Sequence, residues 1–147
     1  LLVYALAHVV LTRTTFGRYV YAIGGNEEAT RLWGVAVRFH KTAIYAVSGV
    51  MSAIAAIVLT ARLNSAQPIA GMMYELDAIA AAVIGGTSLM GGEGSLFGTL
   101  VGALIMGVLR NGLNLLGVSS FLQQIVIGGV IVGAVLVDTM LKRDRRA

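Results

Sequence analysis

Apolar residues in this chain come in long runs separated by short polar breaks. No charged residue interrupts 42–61, 78–92, 94–109 or 111–137, and each run approaches the roughly 20 residues a helix needs to cross a ~30 Å hydrocarbon core. The run 78–92 is the shortest of the four. An opening run, 1–12, amounts to about half a span. The pattern predicts an all-α fold: a polytopic transmembrane helix bundle with spans at 42–61, 78–92, 95–116 and 118–138, and with 1–12 as the end of a further span. The only long polar break, 13–41, is expected to lie outside the bilayer and to hold a short helix.

Composition agrees with this pattern. Hydrophobic residues make up 57% of the chain and charged residues 12%, with a mean hydropathy of +0.84, too apolar for a soluble domain of this length. The net charge of +4 raises the question of nucleic acid, but the positions of the basic residues argue against it. Nine of the eleven Lys and Arg fall in two short segments, Arg13, Arg18, Arg31, Arg38 and Lys41, then Lys142, Arg143, Arg145 and Arg146. Positive charge in short segments beside apolar spans marks the cytoplasmic side.

With 13–41 and the tail 139–147 both cytoplasmic, the chain between them must cross an even number of times, and four runs satisfy that. The segment 62–77, carrying Asn64, Ser65, Gln67, Pro68, Glu75 and Asp77, then faces outside, and the turn 91–95 faces inside. The competing topology makes 78–89 a re-entrant dip with three crossings, and places the basic tail outside against the charge rule. The absence of cysteine removes disulfides, thiolate metal sites and thiol nucleophiles. His8 and His40 are too few and too far apart in sequence to suggest a metal site by themselves.

Glycines at 94, 98 and 102 recur every four residues, as do Gly129 and Gly133, and Ser48, Ser52 and Ala56 repeat the spacing. Small residues on one helix face let backbones approach closely, and in lipid such faces drive helix association through dispersion contacts and interhelical hydrogen bonds. These stripes predict a tight bundle. The stretch from Gly85 and Gly86 through Gly91, Gly92 and Gly94 to Ser95 superficially looks like a phosphate loop, but it lacks the Gly-Lys-Ser/Thr ending that meets the terminal phosphates. Nucleotide binding is rejected there. Those five glycines instead allow a helix break where a short span meets the membrane face.

Arg110 is the costliest polar group near a span end, at roughly 2.5–3.5 kcal/mol for an arginine at a helix centre. It is expected either to snorkel as an anchor or to serve function. Asn111, Asn114, Gln123 and Gln124 bracket the same outer turn and offer amide donors and acceptors to a hydroxylated solute. The plainer role for such amides is bonding between helices. Met72, Met73 and Tyr74 read as interfacial filler, and Tyr19, Tyr21 and Trp33 as headgroup-level anchors.

The loop helix is more informative. Asn26 stands as its N-cap, Glu27 and Glu28 fall in a first turn that favours negative charge, and Arg31 follows Glu27 by four residues and Glu28 by three. Gly34 is placed to stop it. That leaves Ala29, Leu32 and Trp33 as an exposed apolar edge on a short rod, suited to a groove on a partner; the bland reading is an interfacial helix lying on lipid.

Glu28-Ala29 followed by Gly34 resembles the coupling loop of the membrane subunits of binding-protein-dependent ABC importers. Around it, Phe16-Gly17-Arg18-Tyr19, Ala22-Ile23-Gly24-Gly25-Asn26-Glu27-Glu28-Ala29, Tyr74-Glu75-Leu76-Asp77-Ala78-Ile79-Ala80, Gly85-Gly86-Thr87-Ser88-Leu89, Gly91-Gly92-Glu93-Gly94-Ser95 and Asn111-Gly112-Leu113-Asn114-Leu115-Leu116-Gly117 are similar to the ribose-type sugar permease pattern. Trp33, Met72, Met73 and Met90 depart from it. The resemblance implies the C-terminal part of a bacterial inner-membrane permease about twice this length, importing a monosaccharide such as ribose, xylose or galactose by alternating access.

It further implies partners: cytoplasmic ATPase subunits that bind the ATP, a periplasmic sugar-binding protein, a second permease subunit and the lipid bilayer. No enzyme activity, cofactor, metal or nucleic acid is expected of this chain itself. The ATPase-coupling residues it implies are Glu27, Glu28, Ala29, Arg31, Leu32 and Gly34. Alternative readings are an ABC importer for branched-chain amino acids or a furanose signal, and a secondary transporter, which would be expected to hold ionisable residues deep in its spans.

Overall fold

A computed structural model describes residues 2–69 and 71–144, with side chains except at 137 and 141–144. It is all-α, as the apolar runs predict: α1 (Leu2–Arg13), α2 (Thr15–Gly25), α3 (Glu27–Leu32), α4 (Val37–Leu63), α5 (Tyr74–Ile84), α6 (Leu96–Leu115) and α7 (Ser120–Asp144), with no strand among the described residues. The chain divides into two compact units, Leu2–Met72 and Met73–Ala147.

In the first unit α2 packs on α1, α3 and α4. Thr14 starts α2 by accepting a hydrogen bond from the Gly17 amide at 3.3 Å, and it also donates to the Val10 carbonyl at 2.6 Å, so one hydroxyl joins the end of α1 to the start of α2. Ile23, Thr30 and Val37 are the buried residues where α2, α3 and α4 meet. Beyond them α4 runs for 27 residues, about 40 Å at 1.5 Å per residue. Its most apolar window has none of its residues buried, and the Ser48, Ser52, Ala56 stripe lies on this exposed length. A helix so apolar and so bare is built for lipid or for other helices.

The second unit is organised by α5, which lies against α6 and α7. Ala80, Ala81, Met106 and Ile127 form its buried centre, with Ile84, Leu109 and Ile131 packed around them. A Cβ added at Gly98 would overlap the Gly85 carbonyl oxygen, and one added at Gly102 would overlap that of Ala81. The backbones of α5 and α6 therefore touch, antiparallel, with position 85 level with 98 and 81 level with 102. Cα–H groups facing carbonyls at this range add weak hydrogen bonds to the dispersion contact. Gly98 and Gly102 lie at this backbone contact, whereas Gly94 precedes α6 and closes on the Thr87 side chain within the turn. At Gly129 and Gly133 a Cβ would meet nothing within 4 Å, and the α7 face that carries them is left uncovered by the described residues.

Residues 78–92 are helical only as far as Ile84, the helix breaking within the glycine-rich stretch. α5 has 11 residues, about 16 Å and half of a hydrocarbon core, and ends at Ile84. Gly86 takes φ +85°, its amide bonds the Val83 carbonyl and that of Thr87 bonds Ala82, both at 2.9 Å. This pair of backward bonds around a left-handed residue is a Schellman stop, and glycine adopts that φ without a Cβ penalty. The chain then turns through 87–94, tied by the Ser88 amide to the Glu93 carbonyl at 3.0 Å. Among the described residues three helices are long and apolar enough to cross a membrane: α4, α6 and the 120–140 part of α7.

Two substitutions on α6 separate packing from propensity. Gly102→Ala drives a methyl into the Ala81 carbonyl and should destabilise by about 1–3 kcal/mol. Gly112→Ala enters open space and should be neutral or stabilising by up to about 1 kcal/mol. Melting temperatures of the purified permease assembly check the contrast; equal effects would mean that α5 and α6 do not touch.

Candidate functional site

Two clusters of polar chemistry stand out, one in each unit. The first is α3. Asn26 caps it as the sequence predicts, its Oδ1 accepting from the Ala29 amide at 3.0 Å, while Thr30 Oγ1 donates back to the Asn26 carbonyl at 2.7 Å. Glu27 and Glu28 occupy the first turn, and Gly34, at φ +82°, ends the element by bonding the Arg31 carbonyl at 3.0 Å. Leu32 and Trp33 are 84% and 87% exposed, a large bare apolar surface for so short a helix. Ala29 is not part of that bare edge; it is half-buried and lines a cleft of about 350 Å³ with Arg18, Tyr19, Ala22, Trp33 and Val35.

The ion pairing of α3 also differs from expectation. Glu27 pairs with Lys41 of α4, not with Arg31 four residues on. The first turn of α3 lies beside the start of α4, so the tertiary partner displaces the local one. Both side chains are about half exposed, and such a pair contributes at most about 1 kcal/mol. Behind α3 the rings of Phe16, Tyr19 and Phe39 surround His40 with centroids 4.9–6.1 Å away, and His40 Nδ1 donates to the Ala36 carbonyl at 2.9 Å. Tyr19 thus packs on a side chain, a contact the anchor reading did not include.

The second cluster was not foreseen. Arg110 grips Asp77 with a two-pronged contact, NH1 to Oδ2 at 2.8 Å and NH2 to Oδ1 at 3.1 Å, and its guanidinium lies 5.7 Å from the Tyr74 ring centroid. Arg110 is thus satisfied by a counter-charge on the neighbouring helix. Tyr74 is a cation–π partner rather than filler. The register fixed by Gly98 and Gly102 sets Asp77, in the first turn of α5, about level with Met106, and Arg110, one helical turn further along α6, reaches it across 33 positions of sequence. The sequence held one clue: an arginine bordering lipid needs a counter-charge, and Asp77 is the acid that begins the neighbouring run.

The four amides are divided by the structure. Gln123 Nε2 donates to Asn114 Oδ1 at 2.9 Å and to the Val118 carbonyl at 2.8 Å, so this pair staples the α6–α7 turn. Gln124 instead lines a cleft with Arg110 and Asp77, and Asn111, next to Arg110 in sequence, is exposed. Of the glycines, Gly85, Gly98 and Gly102 pack the backbone contact, while Gly86, Gly91 and Gly92 take left-handed φ in the turn. Arg145 and Arg146, and the side chains of Lys142 and Arg143, lie outside the described residues.

Three membrane-length helices among the described residues, with little buried apolar surface in either unit, mark a multi-pass membrane protein, and the comparisons narrow it further. The sequence profile described as "Branched-chain amino acid transport system / permease component" matches residues 1–135; the chain belongs to that permease family. It is 58% identical over 137 residues to the ribose import permease protein of Escherichia coli K12, covering 93% of this chain and 43% of that protein. It is 51% identical over 144 residues to the xylose transport system permease protein of Haemophilus influenzae, covering 97% and 38%, and 43% identical over 143 residues to the D-allose transport system permease protein of E. coli K12, covering 97% and 44%. The chain thus spans less than half the length of these relatives. No solved structure matches it.

Asn26→Ala should cost α3 about 1 kcal/mol by freeing the Ala29 amide, seen as several-fold faster hydrogen exchange at the amides of 27–33. Glu27→Gln should leave that exchange nearly unchanged, because the pair it removes is exposed.

Proposed function

We propose that this chain is the C-terminal part of the membrane-spanning permease subunit of an ATP-driven, binding-protein-dependent importer of a neutral monosaccharide such as ribose, xylose or galactose. The observation that carries the reading is α3: an acid-led, capped helix that presents Leu32 and Trp33 bare in the polar break between apolar helices. A rigid short rod with an exposed apolar edge suits a protein groove. The sugar assignment is supported by the printed names of relatives 43–58% identical to this chain. An importer of branched-chain amino acids is the second reading, favoured by the description of the family itself.

In the mechanism proposed, α3 faces the cytoplasm of a bacterial inner membrane and docks into an ATPase subunit, while a periplasmic protein delivers sugar to the opposite face of a permease dimer. Closure of the ATPases biases the helices between inward-open and outward-open states, which requires α3 to contact the ATPase differently in each. ATP is bound and hydrolysed by that partner, so this chain performs no covalent chemistry. Four crossings remain our topology. In it α5 is the short second span, and the turn that follows its break at Gly85, level with Gly98 near the start of α6, lies toward the inner face.

Glu28→Cys, placed in a chain without cysteine, should crosslink to the ATPase subunit in the assembled importer and abolish sugar uptake when blocked by a bulky maleimide. Full uptake with position 28 blocked would remove the coupling role of α3.

A further inference from the structure

The Asp77–Arg110 pair is placed where a purely structural ion pair is expensive. α6 is 20 residues long, just enough for a ~30 Å core, and Arg110 precedes its end by five residues, about 7.5 Å of rise. Its side chain is 35% exposed and that of Asp77 24%. A charged pair left a quarter to a third open at the outer end of apolar helices fits the mouth of a water-filled cavity, where such groups mark solute pathways. Clefts do flank them. One, of about 250 Å³, is bounded by Ala78, Ala103, Met106 and Gly107 together with the pair. The other, of about 90 Å³, adds Gln124 and Ile127.

The backbone entering the site is strained as well. Met73, which caps α5 and lines the smaller cleft, has φ +70° with no side-chain hydrogen bond to support the cap. A left-handed methionine costs of order 1 kcal/mol or more and persists where the surroundings over-determine it, as at ligand sites.

We infer that Asp77, Arg110 and Tyr74, with Gln124 at the flank, form a subsite on the translocation path that binds the hydroxyl groups of a neutral monosaccharide. This rests on the sugar-permease reading above and adds residues to it. A closed carboxylate–guanidinium pair carries no net charge, yet keeps outward-facing oxygen lone pairs and N–H groups in one plane, the pattern that vicinal hydroxyls satisfy. Small apolar neighbours, Ala78, Ala103 and Gly107, admit the ring, Met106 offers apolar surface to its C–H face, and the Tyr74 ring holds the guanidinium in place. A zwitterionic amino acid would have to pry the two-pronged contact open to reach either charge; a polyol does not.

The test uses the complete permease assembled with its ATPase and binding protein in proteoliposomes, reading D-ribose uptake and binding-protein-stimulated ATP hydrolysis together. Arg110→Lys keeps the charge and loses the fork, and the double variant D77N/R110Q keeps a neutral hydrogen-bonded pair. Each should lower uptake per ATP hydrolysed about tenfold, the scale of one lost charge-assisted hydrogen bond. Tyr74→Leu leaves the ion pair in place and should reduce the same ratio even if the pair variants fail to assemble. In a cysteine-free background, D-ribose at millimolar concentration should slow alkylation of Ala78→Cys several-fold while L-leucine does not.

Uptake and hydrolysis falling in step, with alkylation indifferent to D-ribose, would make the pair a structural clip between α5 and α6 and overturn the inference. Protection by L-leucine alone would overturn it too. Failure of the wild-type importer to take up D-ribose, D-xylose or D-galactose would instead overturn the proposed function on which the inference rests.

Discussion

The backbone contact between α5 and α6 governs everything in the second unit. At Gly98 and Gly102 there is no side chain between the helices, only the carbonyls of Gly85 and Ala81. In water such a contact would be a minor supplement to apolar burial. In lipid it is a main source of association, because hydrocarbon tails solvate leucine as well as another helix does. The contact also acts as a ruler: it sets the two helices at a register that no side-chain packing could shift by a residue without collision. Asp77 and Arg110 meet because of that register, and α7 closes over Ala80 and Ala81 through Ile127.

The same glycines explain why α5 is short. Gly85 gives α6 its close approach and Gly86 turns the chain out of the helix, so packing and termination are adjacent in sequence. A longer helix would have carried Thr87 and Ser88 past the start of α6. The turn instead folds back, buries Ser88 and delivers Ser95 to cap α6 by accepting from the Gly98 amide at 3.4 Å. The broken element is thus a consequence of holding two backbones in contact.

In the first unit the decisive feature is the isolation of α3 by caps at both ends. Asn26 closes its amides and Gly34 its carbonyls, so six residues hold helical form without a long helix to support them, although isolated helices of that length are unstable in water. Thr30, packed inward, is its buried side. Leu32 and Trp33 point away from the unit's own core, which makes the rod an element shaped for something other than this chain's folding.

Much of this was legible in the linear chain. The all-α class and the membrane-length helices follow from apolar runs and their lengths, since a helix must satisfy its own backbone in lipid. The bounds of α3 follow from Asn26, Glu27, Glu28 and Gly34, because capping chemistry is local. Contacts between distant residues were not legible. Glu27 chose Lys41 over Arg31, Tyr74 turned out to lie by Arg110, and Arg110 found Asp77, each decided by how helices stack. Gly129 and Gly133 carry the same spacing as Gly98 and Gly102 yet face nothing in the described chain. Periodicity says that a face is smooth; only the placement of a neighbouring helix decides whether another backbone lies against it.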